Sequence, residues 1–123
     1  MKNILLVFLG GGLGSIFRYL ISKFLNSTDL NIPWGTFAVN IIGSFLIGLF
    51  IGSAIKHNNL GTPLYILLAT GFCGGFTTFS TFSFENQALF KSGDFLNFII
   101  YAFGSLFLGI IAAAIGLYCS KLT

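Results

Sequence analysis

The stretch GFCGGFTTFSTFSFE, residues 71–85, lies inside an apolar chain yet carries a glycine pair, five hydroxyls, five phenylalanines and a carboxylate. Glycine loosens a backbone, and a threonine hydroxyl can bond main-chain groups that a helix break sets free. Gly74 and Gly75, followed by Thr77 and Thr78, therefore predict an interrupted helix. Unwound backbone at membrane depth persists only where protein buries it or where it lines a cavity. Its exposed carbonyls can hold a hard cation, as the broken helices of transporters do.

The flanks of this stretch are membrane helix by composition. Hydrophobic residues make up 55% of the 123 and charged residues only 7%, against roughly 25% charged in a soluble domain. Apolar runs cover about 4–24, 33–55, 63–90 and 95–119, separated by the polar loops NSTDLNI, KHNNLGT and KSGD. Each run is near or above the ~20 residues that cross ~30 Å of hydrocarbon. The expected fold is an all-α membrane protein, one domain over 1–123 with four transmembrane helices and a break in the third. Lys2 followed by ILLVFLGGG resembles a secretory signal, but no small-residue cleavage site follows and the apolar character resumes, so it reads as a retained span. Cys73 and Cys119 lack metal-ligand spacing and read as buried thiols. GGGLGS has no strand before it and reads as helix packing rather than a phosphate loop.

Four spans place Lys2, Lys56, His57 and Lys121 on one side, and Lys23 and Lys91, offset by Asp29 and Asp94, on the other. Three lysines against two is almost no bias under the positive-inside rule. Copies inserted in both orientations and paired antiparallel would explain the balance; the alternative is that one or two charges suffice, or that Arg18 counts as well. Small residues recur at four-residue spacing in Gly10 and Gly14, in Ser44, Gly48 and Gly52, and in Ser105, Gly109 and Ala113. Such stripes let helix backbones approach closely in lipid, and close self-association is expected, with a homodimer the smallest enclosed assembly.

Ionisable groups within membrane segments are costly and mark function by default. Arg18 lies deep in the first run and Glu85 deep in the third; Arg18 suits either a vestibule attracting anions or an anchor at the interface. Asn40 and the pair Tyr101 and Ser105 offer polar groups that serve an ion path or hydrogen bonds between helices equally well. At about 100° per residue, Thr77, Thr81 and Glu85 share one helical face and Phe79 and Phe82 another. A phenyl ring has a positive edge, so two rings presented edgewise can accept a small anion. That contact is weak enough to let the anion leave, which conduction requires. Ordinary packing against lipid is the alternative for both rings.

At these residues the chain closely resembles the Fluc (CrcB-like) fluoride channel family. The match spans essentially the whole sequence: GGGLGSIFRY at 10–19, WGTFAVNIIGSFLIG at 34–48, the long 71–85 stretch, and Tyr101 with Ser105. The resemblance implies an antiparallel, dual-topology homodimer with two fluoride pores at the subunit interface and a structural sodium ion at its centre. It implies that a break from Gly74 to Thr77 supplies the backbone carbonyls of Gly74 and Thr77 to sodium. It places Phe79 and Phe82 as the paired pore rings, Asn40 as the pore amide, and Ser80, Thr81 and Glu85 along a polar track. Tyr101 and Ser105 match pore positions of the fourth helix, and Arg18 matches the first-helix arginine. Passive, electrodiffusive export of fluoride follows, in a cell membrane that in a bacterium would be the inner one. The expected partners are a second copy, fluoride and lipid, and not nucleic acid.

A small proton-coupled multidrug exporter has similar size but is expected to need a first-helix carboxylate, absent here. A non-transporting assembly subunit would leave the FTTFSTF pattern without a task. An enzyme is not expected, since no nucleophile and base pair or metal cluster is visible.

Overall fold

The computed structural model describes residues 1–26 and 32–122. Asp29 and the middle of the NSTDLNI loop lie outside the described residues. The described elements are helical: α1 (Lys2–Leu25), α2 (Trp34–Lys56), α3 (residues 63–76), α4 (Ser80–Lys91) and α5 (Phe95–Leu122). Together α3 and α4 make one interrupted span, Pro63–Lys91, so four segments are long and apolar enough to cross a membrane.

Chain ends of these helices follow from local chemistry. Pro63 opens α3 at a position where its missing N–H would have been unpaired anyway. Asn58 closes α2 with φ +56°, and Asn59 and Asn58 donate back to Ala54 and Ile55 carbonyls. Gly93 closes α4 with φ +83°, and Asp94 and Gly93 donate back to Leu89 and Phe90. Both ends are Schellman motifs, which satisfy carbonyls that a helix terminus would otherwise leave bare. Asp94 then caps α5, its carboxylate accepting from the Asn97 N–H at 3.4 Å and from the Asn97 side-chain amide at 2.8 Å.

The third span is unusual in winding as well as in being broken. An α turn (Pro63–Tyr65) passes into π-helix over Ile66–Cys73, then returns to an α turn at Gly74–Phe76. A π turn holds more residues than the ~3.6 of an α turn, which keeps residues four apart in one row. Leu67, Gly71 and Gly75 accordingly all meet α1. A Cβ on Gly10 would strike the Leu67 carbonyl, one on Gly14 the Phe72 carbonyl, and one on Gly75 the Gly11 carbonyl. The second close pair is α2 with α5, where Gly48 lies against Ala113 and Gly116 against the Phe45 carbonyl. Lys56 Nζ joins the same two helices at their ends by donating to the Lys121 carbonyl at 3.1 Å.

Small-residue spacing, read from sequence as a surface for self-association, is thus largely occupied inside the protomer. Gly10, Gly14, Gly48 and Gly52 all face neighbouring helices of the same chain. Gly74 and Gly104 meet nothing within 4 Å. Large apolar side chains cover the outside, with Phe8 73%, Phe79 80% and Phe107 66% exposed; lipid or a second copy is the solvent that suits them.

The break is present, but its position differs from the expected Gly74–Thr77. Gly74 is helical, with φ −62° and ψ −38°, whereas Thr77 is extended, with φ −86° and ψ 160°. Helix resumes at Ser80. Gly75 is needed for contact rather than for unwinding, since it is pressed against Gly11. One consequence is that Thr77 precedes α4 and does not share a helical face with Thr81 and Glu85.

Gly75→Val puts three carbons where the Gly11 backbone stands, and is expected to cost about 1–3 kcal/mol as overpacking does. Gly12→Ala, which meets open space, is expected to cost nothing. Denaturant unfolding of the two variants in detergent checks the difference.

Candidate functional site

The break leaves helix groups without their usual partners, and specific side chains take them over. Thr77 bonds back to the Cys73 carbonyl through both its N–H, at 3.1 Å, and its hydroxyl, at 3.0 Å. The Thr78 N–H, due to the Gly74 carbonyl in an unbroken helix, goes instead to Asn40 Oδ1 at 2.9 Å. Asn40 Nδ2 donates to the Thr78 carbonyl at 3.2 Å. The Thr81 N–H, due to the Thr77 carbonyl, goes to Thr78 Oγ1 at 3.2 Å.

The next carbonyl, that of Gly75, accepts from Arg18 Nε at 3.0 Å, with the Ser15 hydroxyl at 3.5 Å. A cation at a helix C-terminus is favoured by the helix dipole. Here Arg18 closes the end of α3; neither the vestibule nor the anchoring description specifies that contact.

Beside the break runs an open groove of about 640 Å³, lined by Asn40, Ser44, Gly74, Thr77, Thr78, Phe79, Phe82 and Ser105 among others. The Phe79 and Phe82 rings lie 6.3 Å apart and tilted by 40°. Opposite them, Ser105 is buried, and its hydroxyl has no hydrogen-bond partner among the described residues. A buried hydroxyl without a partner costs about 1–3 kcal/mol, so a group that accepts its proton is welcome there.

Phe82 also carries the arrangement away from the groove. Its ring lies 5.2 Å from that of buried Tyr101. The Tyr101 hydroxyl donates to Glu85 Oε1 at 3.0 Å, and the Thr36 hydroxyl donates to Oε2 at 3.0 Å. Glu85 is thereby held by two helices other than its own. Ser80 is exposed at the start of α4, near Thr78 through a 3.5 Å hydroxyl contact, and Thr81 is half-buried one turn before Glu85.

The structure thus gathers Asn40, Gly74, Thr77, Phe79, Phe82 and Ser105 around one groove. Glu85 and Tyr101 form a second cluster behind Phe82, and Arg18 stands on the far side of the break. Sequence reading did not single out Thr36, whereas the expectation that the Thr77 and Thr78 hydroxyls bond main-chain groups beside the break is met. Thr36 lies four residues before Asn40 on α2, a spacing that shares a helix face and was the available signal. For a cation the donor set is apt: oxygen ligands suit a hard ion, and the Gly74 and Thr77 carbonyls both lack the amide that would occupy them in a continuous helix.

Thr36→Val and Tyr101→Phe each remove one hydrogen bond to Glu85 with little change of shape. Each is expected to lower stability by about 0.5–1.5 kcal/mol, non-additively in the double variant because the two share one carboxyl. Thermal unfolding in detergent measures both.

The chain matches the family model described as CrcB-like protein, Camphor Resistance (CrcB), over residues 5–117. It is 55% identical over 122 residues to a fluoride-specific ion channel FluC of Gloeothece citriformis, covering 98% of each chain. It is 48% identical over 124 residues to the protein of that name from Phocaeicola vulgatus, covering 98% of this chain and 100% of the relative. A Bacteroides fragilis counterpart is 47% identical over 125 residues, with 98% of each covered. With four membrane-spanning segments and a family match over nearly its whole length, this multi-pass membrane protein belongs to the CrcB-like family.

Proposed function

We infer that this protein is a fluoride-selective ion channel that lets fluoride leave the cytoplasm passively. Its near-full-length similarity to fluoride-specific channels supports the ion's identity. The observation that carries the reading in the molecule itself is the buried Ser105 hydroxyl, without a hydrogen-bond partner among the described residues, lining the same groove as the Phe79 and Phe82 rings. An O–H donor and ring edges are the contacts a small anion needs when it gives up water, and none is a fixed positive charge that would hold it too tightly.

Fluoride enters a cell in acid surroundings as its neutral acid, loses its proton in the more alkaline cytoplasm and is trapped. A membrane potential negative inside then drives the anion outward through a selective path, which gives fluoride resistance without nucleotide or a coupling ion. Selectivity over chloride rests on a narrow route whose hydroxyls, amide and ring edges replace the water that fluoride holds most firmly. Beyond Phe82, the Glu85, Tyr101 and Thr36 cluster continues the polar route.

The working unit is an antiparallel homodimer of dual topology. The lysine balance between the two sides supports it, as does a groove open along one side with Phe79 left 80% exposed. A second copy would close the groove and bring a second pair of Gly74 and Thr77 carbonyls to the axis. Those four carbonyls would hold a structural sodium ion, whose charge would stabilise the broken helix ends.

Reconstituted in liposomes under an applied potential, the protein is expected to pass fluoride and exclude chloride; no fluoride efflux, or equal chloride efflux, overturns the assignment. Phe79→Ile or Phe82→Ile is expected to slow fluoride at least about tenfold, equivalent to raising the barrier by ~1.4 kcal/mol, while dimers still form. Unchanged flux in both variants returns the rings to packing. An Asn59→Cys variant carrying Cys119→Ser is expected to react with impermeant thiol reagents from both faces of intact membranes. Reaction from one face alone refutes dual topology.

A further inference from the structure

We propose that Asn40 is a positioning residue for the cation as well as a group on the anion path: its amide holds the third span open at Thr78 and so keeps the Gly74 and Thr77 carbonyls available. The proposal rests on the sodium reading above and assigns to one side chain the task of making that site.

Asn40 does not merely border the groove. Both functions of its amide are engaged by a single residue, Oδ1 by the Thr78 N–H at 2.9 Å and Nδ2 by the Thr78 carbonyl at 3.2 Å. A side chain that accepts and donates side by side is an amide, and among residues of this length only asparagine has one. It therefore substitutes for the helix itself at residue 78, supplying the acceptor that Gly74 would have been and the donor that Phe82 would have been.

The consequences reach both carbonyls. With its N–H on Asn40, Thr78 leaves the Gly74 carbonyl without its i+4 donor. Held in that place, Thr78 turns its hydroxyl to the Thr81 N–H at 3.2 Å, which leaves the Thr77 carbonyl without its own. Two uncompensated carbonyls at membrane depth are costly, and a bound cation compensates both. The Gly75 carbonyl between them is already taken by Arg18. The second Nδ2 proton remains for the groove that Asn40 lines, so cation site and anion path are linked through one amide.

Asn40 is itself fixed from behind. The Ser44 hydroxyl donates to the Asn40 carbonyl at 2.6 Å, and Gly43 admits the Thr77 methyl, which a Cβ there would displace. Helix α2 is thus shaped to present the amide and to receive the unwound segment.

The test is the sodium-dependent rise in thermal midpoint of the purified protein in detergent, with N-methylglucamine as the replacement cation. A ligand that binds only the native state raises the midpoint by linkage, and the unaltered protein is expected to gain a few degrees in sodium. Asn40→Leu removes both bonds, lets Thr78 return to the Gly74 carbonyl, and is expected to lose that gain. Asn40→Asp keeps the acceptor for the Thr78 N–H and is expected to retain it, a rescue that general loss of packing would not give. Retention in Asn40→Leu overturns the inference, as does loss in Asn40→Asp, which also decides the matter if Asn40→Leu does not assemble. Absence of any sodium effect in the unaltered protein overturns the sodium reading itself.

Discussion

A peptide group inside a membrane must be hydrogen-bonded, and the interruption at residues 77–79 makes that requirement the organising constraint of the molecule. Helices meet it internally; a broken helix cannot. Several groups released by the break are answered from different places: Asn40 from α2 for the Thr78 peptide, Arg18 from α1 for Gly75, and Thr78 itself for the Thr81 amide. Of the polar residues that look anomalous in so apolar a chain, Arg18 and Asn40 are partners that this one interruption demands.

Close backbone packing is what lets short side chains reach that far. Ser15 and Arg18 approach the Gly75 carbonyl because Gly11 and Gly75 allow α1 and α3 to touch main chain to main chain. On the other side, Gly43 makes room for the Thr77 methyl and sets Asn40 within reach of Thr78. The glycines and the polar groups are therefore parts of one device. A bulkier α1 would separate Arg18 from its carbonyl even with the arginine unchanged.

The four spans were legible because apolar runs of helix length separated by polar turns have no soluble solution. That the third is interrupted was legible from glycine followed by threonine, but the position was not: Gly74 and Gly75 remain helical, and unwinding starts at Thr77. Local flexibility says where a chain can bend, whereas the partners waiting in space decide where it does. The same reason hid Thr36 and the contact made by Arg18. Thr36 matters through a carboxylate 49 positions away, and Arg18 through a carbonyl 57 positions away. Phe79 and Phe82 were paired by spacing and family resemblance together, and the structure sets their rings 6.3 Å apart beside one groove.

Opposite charges find use in the same interruption because a helix has two unlike ends. Where α3 stops, its carbonyls face outward with partial negative charge, a place for a guanidinium and for a hard cation. Where α4 starts at Ser80, its first N–H groups carry partial positive charge, and the Phe79 ring just before it lines the groove, a setting that suits an anion. One uninterrupted helix would separate these ends by the thickness of the membrane. Breaking it in the middle brings them within a few residues of each other, so a cation bound at the carbonyl end would also lower the electrostatic cost of an anion passing the amide end. The tie between them is the peptide of Thr78, which belongs to neither helix and is held by Asn40.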